Sequence, residues 1–190
     1  FILVAACCFL GYLYQGPPFR LGYQGLGEPL CWLAFGPFAY SAVLIALNPS
    51  NIYFEDIPWK VSLLLGSGPS LATTLVLFCS HFHQISEDKK HGKNSPLVRL
   101  GAKKGSQFVP WIIFTIYIFQ LFTIVYGFIP VFCILYLLSF PQAIRLINLL
   151  KSSYAKPSAI KNCKFVAIKF QTLNGIGLIT GLIFNYLLNK

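Results

Sequence analysis

The feature that most restricts this chain of 190 residues is the length of its apolar blocks. Crossing a bilayer as a helix takes about 20 predominantly apolar residues. Six blocks approach that length, at 1–14, 30–47, 61–80, 109–126, 128–148 and 165–188. The expectation is an all-α, polytopic membrane protein, with six transmembrane helices forming a single domain over 1–190. Composition agrees, since 56% of residues are hydrophobic, 11% are charged and the mean hydropathy is +0.66, whereas soluble domains run near a quarter charged. The chain has no methionine and opens on FILVAACCFL, without the basic region or small-residue cleavage site of a secretory signal. N-terminal truncation is therefore expected, with the first block cut short.

Glycine and proline occur inside several blocks, at Gly36-Pro37, Gly66, Gly68-Pro69 and Pro141, which is tolerated where neighbouring helices satisfy the freed backbone groups. Gly175, Gly177 and Gly181 are expected to let another helix approach closely. Cys7, Cys8, Cys31, Cys79 and Cys133 fall in apolar segments and no CxxC pair exists. They read as small buried hydrophobes and not as zinc ligands.

The formal charge of +10 reports topology. If all six blocks cross, thirteen of the fifteen Lys and Arg residues fall on one side, in or beside 15–29, 81–108 and 149–164, leaving Lys60 and Lys190 opposite. The positive-inside rule puts the three basic loops on the cytoplasmic or stromal face. That asymmetry accounts for the basic balance, so no nucleic-acid partner is expected. The connector 48–60, with Glu55, Asp56 and an interfacial Trp59, is assigned no chemistry.

The chain has only five acids, and two of them lie in its densest polar stretch, Ser80 to Lys93, with all three histidines. If the third block continues helically into it, His81, Gln84, Asp88 and His91 share one face, with His83, Glu87 and Lys90 on the adjacent one. A carboxylate with a carboxamide neighbour can hold Mg2+, which prefers oxygen ligands, while the lysines and Arg99 can hold phosphate. Spacing alone fits a solvated helix end equally well. The loop Tyr14 to Glu28 holds two prolines, several glycines, Arg20 and Tyr23. Such a loop either only turns the chain or covers a ligand.

At these two loops the sequence resembles the UbiA-type prenyltransferases, and within them the 1,4-dihydroxy-2-naphthoate phytyl- or polyprenyltransferases of cyanobacteria and plastids. YQGPPFRLGYQGLGE at 14–28 is similar to the loop between the fourth and fifth helices of that group. CSHFHQISEDKKHGKNSPLVRLG at 79–101 resembles its second aspartate-rich motif, and NCKFVAIK at 162–169 extends the likeness. The resemblance implies a nine-helix bundle of which this chain supplies helices four to nine. The first acidic motif, NDxxD, is absent from this sequence, so the chain by itself is expected to be inactive. The wider superfamily has two aspartates four apart in the second motif, where this chain has Gln84 and Asp88.

What the resemblance implies is transfer of a phytyl or polyprenyl chain from its diphosphate to 1,4-dihydroxy-2-naphthoate, for phylloquinone or menaquinone, with Mg2+ as cofactor. Asp88, Gln84 and Glu87 are the implied metal ligands, and Lys89, Lys93, Arg99 and Arg20 the diphosphate ligands. Tyr14, Tyr23 and Glu28 would contact substrate; His81 or His83 would hold the naphthoate carboxylate or take up a proton. The implied location is a cyanobacterial inner or thylakoid membrane, or a plastid membrane. Alternatives are the same chemistry on homogentisate or a chlorophyllide, a transporter with Gly66-Ser67-Gly68-Pro69 as its broken helix, or a structural membrane subunit.

Overall fold

The computed structural model describes residues 2–47 and 57–190, which contain helices and turns and no strand. Most of the connector expected at 48–60, including Glu55 and Asp56, lies outside the described residues. The helices are α1 (Ile2–Gln15), α2 (Gly27–Leu47), α3 (Trp59–Ser80), α4 (Ile85–Lys90), α5 (Pro96–Val125), α6 (Val131–Ser153), α7 (Pro157–Ile160) and α8 (Cys163–Leu188).

Five segments among the described residues are long and apolar enough to cross a membrane: Gly27–Leu47, Trp59–His83, Pro96–Val125, Val131–Ser153 and Ser158–Leu188. The chain is thus a multi-pass, all-helical membrane protein. The block expected at 1–14 forms α1, whose 14 residues rise about 21 Å at 1.5 Å each, short of the ~30 Å hydrocarbon core. Other spans are longer than their apolar blocks. α5 starts at Pro96, a residue suited to a first helical turn, and is interrupted at Gly101, where φ is +77°. α6 carries Arg145 near the end of its apolar block and Lys151 beyond it, and runs to Ser153.

The core lies between α3, α5, α6 and α8, where Leu75, Ile116, Leu146 and Phe170 are fully buried. Trp111, Phe114, Ile179 and Phe184 are exposed on the outside of the bundle, the outward apolar face that lipid requires. Polar side chains inside the bundle pair with one another. Gln120 and Asn174 exchange amide hydrogen bonds, and the Tyr117 hydroxyl lies 2.9 Å from that of Ser139. Such pairs join helices where the hydrophobic effect gives no drive for association. They are neutral, and the described acids all sit at one end of the bundle, in α2's first turn and in α4.

The closest helix approach is between α8 and residues 131–139, the tightly wound start of α6. A Cβ on Gly177 would stand 2.1 Å from the Leu135 carbonyl oxygen, and one on Gly181 2.5 Å from the Cys133 backbone. Both glycines are packing devices, as expected. Gly175 is not, since nothing lies within 4 Å of a Cβ there. Of the cysteines, Cys79, Cys133 and Cys163 are buried, while Cys8 is exposed and Cys7 and Cys31 are half-buried. Cys8 corrects the expectation of uniform burial: on a peripheral helix the thiol packs outward like its apolar neighbours.

The opposed surroundings of these glycines give a stability test. Gly181→Leu should destabilise the protein by about 1–3 kcal/mol, because its obstacle is backbone. Gly175→Ala should be neutral or slightly stabilising. Unfolding in detergent, followed by helical circular dichroism, distinguishes them.

Candidate active site

Two loops build the site, and the turn chemistry of each is readable. α3 tightens into a 3₁₀ turn at His81–His83, and Gln84 leaves helical geometry at φ −102° and ψ 0°. α4 then runs from Ile85 to Lys90 and stops at Gly92, whose φ of +70° is the left-handed conformation glycine adopts freely. Two hydrogen bonds close this stop, Gly92 N–H to the Lys89 carbonyl and Lys93 N–H to the Asp88 carbonyl. They are the pair that defines a Schellman ending. It carries the Lys93 side chain back beside Asp88, with Nζ 3.4 Å from Oδ1.

Asp88 is buried and its second oxygen is also engaged, accepting a bond from Ser95 Oγ at 3.0 Å. Lys93 Nζ lies 3.2 Å from His81 Nε2, and His81 Nδ1 lies 3.1 Å from Glu28 Oε1. Glu28 and His81 are both buried. The result is a continuous polar chain, Glu28, His81, Lys93, Asp88 and Ser95, crossing from the start of α2 to the start of α5.

The 16–26 loop is tied to the same region by backbone. Asn94 N–H donates to the Tyr23 carbonyl at 2.7 Å, and the Arg99 guanidinium donates to the Gln24 carbonyl. Gly25 has φ +79°, and a Cβ there would stand 2.6 Å from the Asn94 carbonyl oxygen. Glycine is needed on both counts. α7 packs against the His81–His83 turn, with Ile160 buried in the core that contains Phe82. All three basic loops therefore meet at one end of the bundle.

Between the two polar loops lies a cavity of about 550 Å³. Tyr14, Gly22 and Tyr23 form one wall; His83, Gln84, Glu87, Asp88, His91 and Lys93 form the other. Tyr14 also borders a groove of about 770 Å³ that is almost wholly apolar, with Leu10, Phe35, Val76 and Leu77 in its walls. Gln171 donates to Thr73 Oγ1 at 2.8 Å, and both residues line this groove.

The continuous helix expected through 80–93 is corrected. The break at 81–84 rephases the residues, so His83, Gln84, Glu87, Asp88 and His91 share the cavity while His81 is outside its lining. Lys89 is exposed and does not line it. Arg20 lies with its guanidinium carbon 5.8 Å from the Tyr23 ring centre, and Arg99 donates to the Gln24 carbonyl and does not line the cavity. Sequence reasoning passed over Ser95, whose only signal is its place before a helix-starting proline. It also passed over the apolar groove, whose walls come from four separate helices.

Gln84, Glu87 and Asp88 bring oxygen donors to one wall. No cluster of three or more His, Cys, Asp or Glu among the described residues is arranged to enclose an ion. Such a set suits Mg2+, which typically takes one or two carboxylates and completes its shell with water and substrate phosphates.

Fold and site together define a polytopic helical membrane protein with a polar cavity at one end, opening beside an apolar groove. Residues 1–168 match the UbiA prenyltransferase family, and the chain belongs to that family. It is 37% identical over 179 residues to a 2-carboxy-1,4-naphthoquinone phytyltransferase from Synechocystis sp., covering 94% of this chain and 56% of that protein. It is 39% identical over 184 residues to the chloroplastic 2-carboxy-1,4-naphthoquinone phytyltransferase of Arabidopsis thaliana, covering 96% of this chain and 48% of the relative. The chain thus spans about half the length of these curated relatives. No solved structure gives a significant match.

A double-mutant cycle on Glu28 and His81 checks the link between the loops. Glu28→Gln and His81→Phe should be non-additive in stability by about 0.5–3 kcal/mol, read from unfolding in detergent. Additivity would mean that the contact holds nothing together.

Proposed function

We propose that the protein to which this chain belongs transfers a phytyl or related prenyl group from its diphosphate to a carboxylated naphthoquinol such as 1,4-dihydroxy-2-naphthoate. The observation that carries this reading is the junction at Tyr14, where the polar cavity and the apolar groove share a wall. A prenyl diphosphate has that same division, an anionic head on a long apolar tail. The names of the relatives, both phytyltransferases of a 2-carboxy-1,4-naphthoquinone, support the acceptor.

In this reading the diphosphate lies in the cavity and the tail in the groove. Lys93 supplies a positive charge at the diphosphate, while Gln84, Glu87 and Asp88 would hold Mg2+. The ion, when bound, neutralises charge on the departing diphosphate. The bond between the allylic carbon and oxygen breaks with its electron pair going to diphosphate, and a ring carbon of the acceptor bonds to the prenyl carbon. If that carbon bears the carboxylate, CO2 leaves and its bonding pair restores the aromatic ring. The balance then closes without a base. Tyr14 and Tyr23 flank the reacting ends, and the apolar groove keeps water from the allylic cation.

Gly22, Glu28 and Arg99 act indirectly, by holding the 14–28 loop over the cavity. Arg20 and Lys89 lie outside the lining and contribute, at most, to the field that draws an anionic substrate to this end. A cytoplasmic or stromal position for the cavity is supported by its three basic loops, through the positive-inside rule.

Asp88→Ala, assayed in membranes with the full-length gene product, should lower prenyl transfer about a hundredfold or more without loss of membrane insertion. Chelation of Mg2+ should abolish the wild-type activity. Near-normal turnover in the variant would remove Asp88 from the mechanism.

A further inference from the structure

A second apolar cavity, of about 410 Å³, lies in the half of the bundle away from the polar end. Leu64, Gln120, Cys133 and Leu182 are among its walls, so α3, α5, α6 and α8 all contribute. It begins at the level where the groove beside Tyr14 stops. On α2 the lining passes from Ala39 to Tyr40, on α3 from Thr73 to Pro69, and on α8 from Gln171 to Gly175. Residues four apart share a helix face, so α3 and α8 hand one space on to the next within a single turn. That level is marked by a polar pair, Gln171 Nε2 donating to Thr73 Oγ1 at 2.8 Å. Thr73 Oγ1 in turn donates to the Pro69 carbonyl at 3.3 Å, so the hydroxyl is satisfied on both sides and an apolar chain can lie beside it.

Gly175 is the wall residue that packing does not explain. A glycine inside a helix costs about 0.5–1 kcal/mol relative to alanine. Gly177 and Gly181 offset that cost by letting the α6 backbone approach, whereas a Cβ on Gly175 meets nothing within 4 Å. Gly175 lines the cavity, and what a glycine contributes there is room. The lengths agree. At 1.5 Å per residue, the groove runs about 10 Å along α3 from Ser80 to Thr73, and both spaces together about 24 Å from Ser80 to Leu64. A phytyl tail has sixteen carbons in line, about 19 Å when extended, since each ~1.5 Å bond advances the zigzag by about 1.25 Å. A geranyl tail is half as long and ends by Thr73. A phytyl tail continues past it.

We propose that the second cavity holds the far end of the prenyl tail, and that Gly175 sets the tail length accepted by keeping that cavity open. This rests on the proposed function and names the donor's length class, four isoprene units. A side chain at position 175 fills the space and turns a long tail out toward lipid, whereas a short tail never reaches it.

The test uses unreactive S-thiolodiphosphates of geranyl and geranylgeranyl with Mg2+ and the full-length gene product in nanodiscs. A geranylgeranyl analogue with a diazirine on its last isoprene unit is photolysed, and the labelled peptides are identified by mass spectrometry. Wild type should be labelled around Leu178 to Leu182 of α8 or Leu64 to Pro69 of α3. Gly175→Phe should weaken the geranylgeranyl analogue about tenfold relative to the geranyl one, the low end of what an apolar pocket discriminates. Gly175→Leu should do so less strongly, and both should shift the label out of the second cavity. The proposal is overturned if the wild-type label falls on the groove walls near Val76 or on lipid alone. An unchanged ratio in both variants, with helical circular dichroism intact, would overturn it equally. Prenyl transfer is assayed separately in the same preparations. Label in the second cavity without any transfer would sink the proposed function and leave the tail site standing; transfer with the label elsewhere would do the reverse. An analogue that does not bind would refute both.

Discussion

The structure at the polar end depends on a buried chain of ionisable groups, from Glu28 through His81 and Lys93 to Asp88. Taking carboxylates and an ammonium group out of water is costly, and the cost is recovered only when geometry and hydrogen bonds are complete. Here each member has its partner on a different part of the chain. Glu28 is fixed by the first turn of α2, His81 by the end of α3, and Lys93 by the Schellman ending at Gly92. Removing one member strands a charge, so the network sets position more than it adds stability. It holds the two loops on either side of a cavity of about 550 Å³.

Everything else at this end follows from that constraint. Because Lys93 is drawn to Asp88 and His81, it faces the cavity as its main cation. Because His81 is drawn to Glu28, the next residues are rotated so that His83 and Gln84 face the cavity instead. Arg99 and Gly25 add backbone contacts that keep the 16–26 loop in place. The membrane part contributes differently, through close helix contacts at Gly177 and Gly181 and neutral polar pairs such as Gln120 with Asn174. That division leaves charge at one end and apolar walls beside it, which is the division an amphiphilic substrate requires.

Much of this was legible in the sequence, for physical reasons. Apolar run length locates most of the spans, though not their ends, because lipid leaves helices few alternatives. The two polar loops stand out because so few acids exist elsewhere. The helix phase through 80–93 was not legible, since no glycine or proline marks the break at 81–84 and tertiary pairing of His81 with Glu28 decides it. α5 was expected too late because Lys103 and Lys104 interrupt its apolar pattern. The apolar groove depends on helices far apart in sequence and has no local signature. Ser95 belongs to the same class, since only folding brings it to the site.

The proposed role of the Glu28-His81 contact is to hold one diphosphate cavity between the two loops. A high-resolution structure of the protein in nanodiscs, with Mg2+ and an unreactive thio-analogue of a prenyl diphosphate, tests it most directly. The expected result is the diphosphate head between Tyr23 and Asp88, the tail leaving past Tyr14 into the groove, and Glu28 still in contact with His81. A diphosphate bound elsewhere, or the two loops apart with Glu28 and His81 separated, would contradict it.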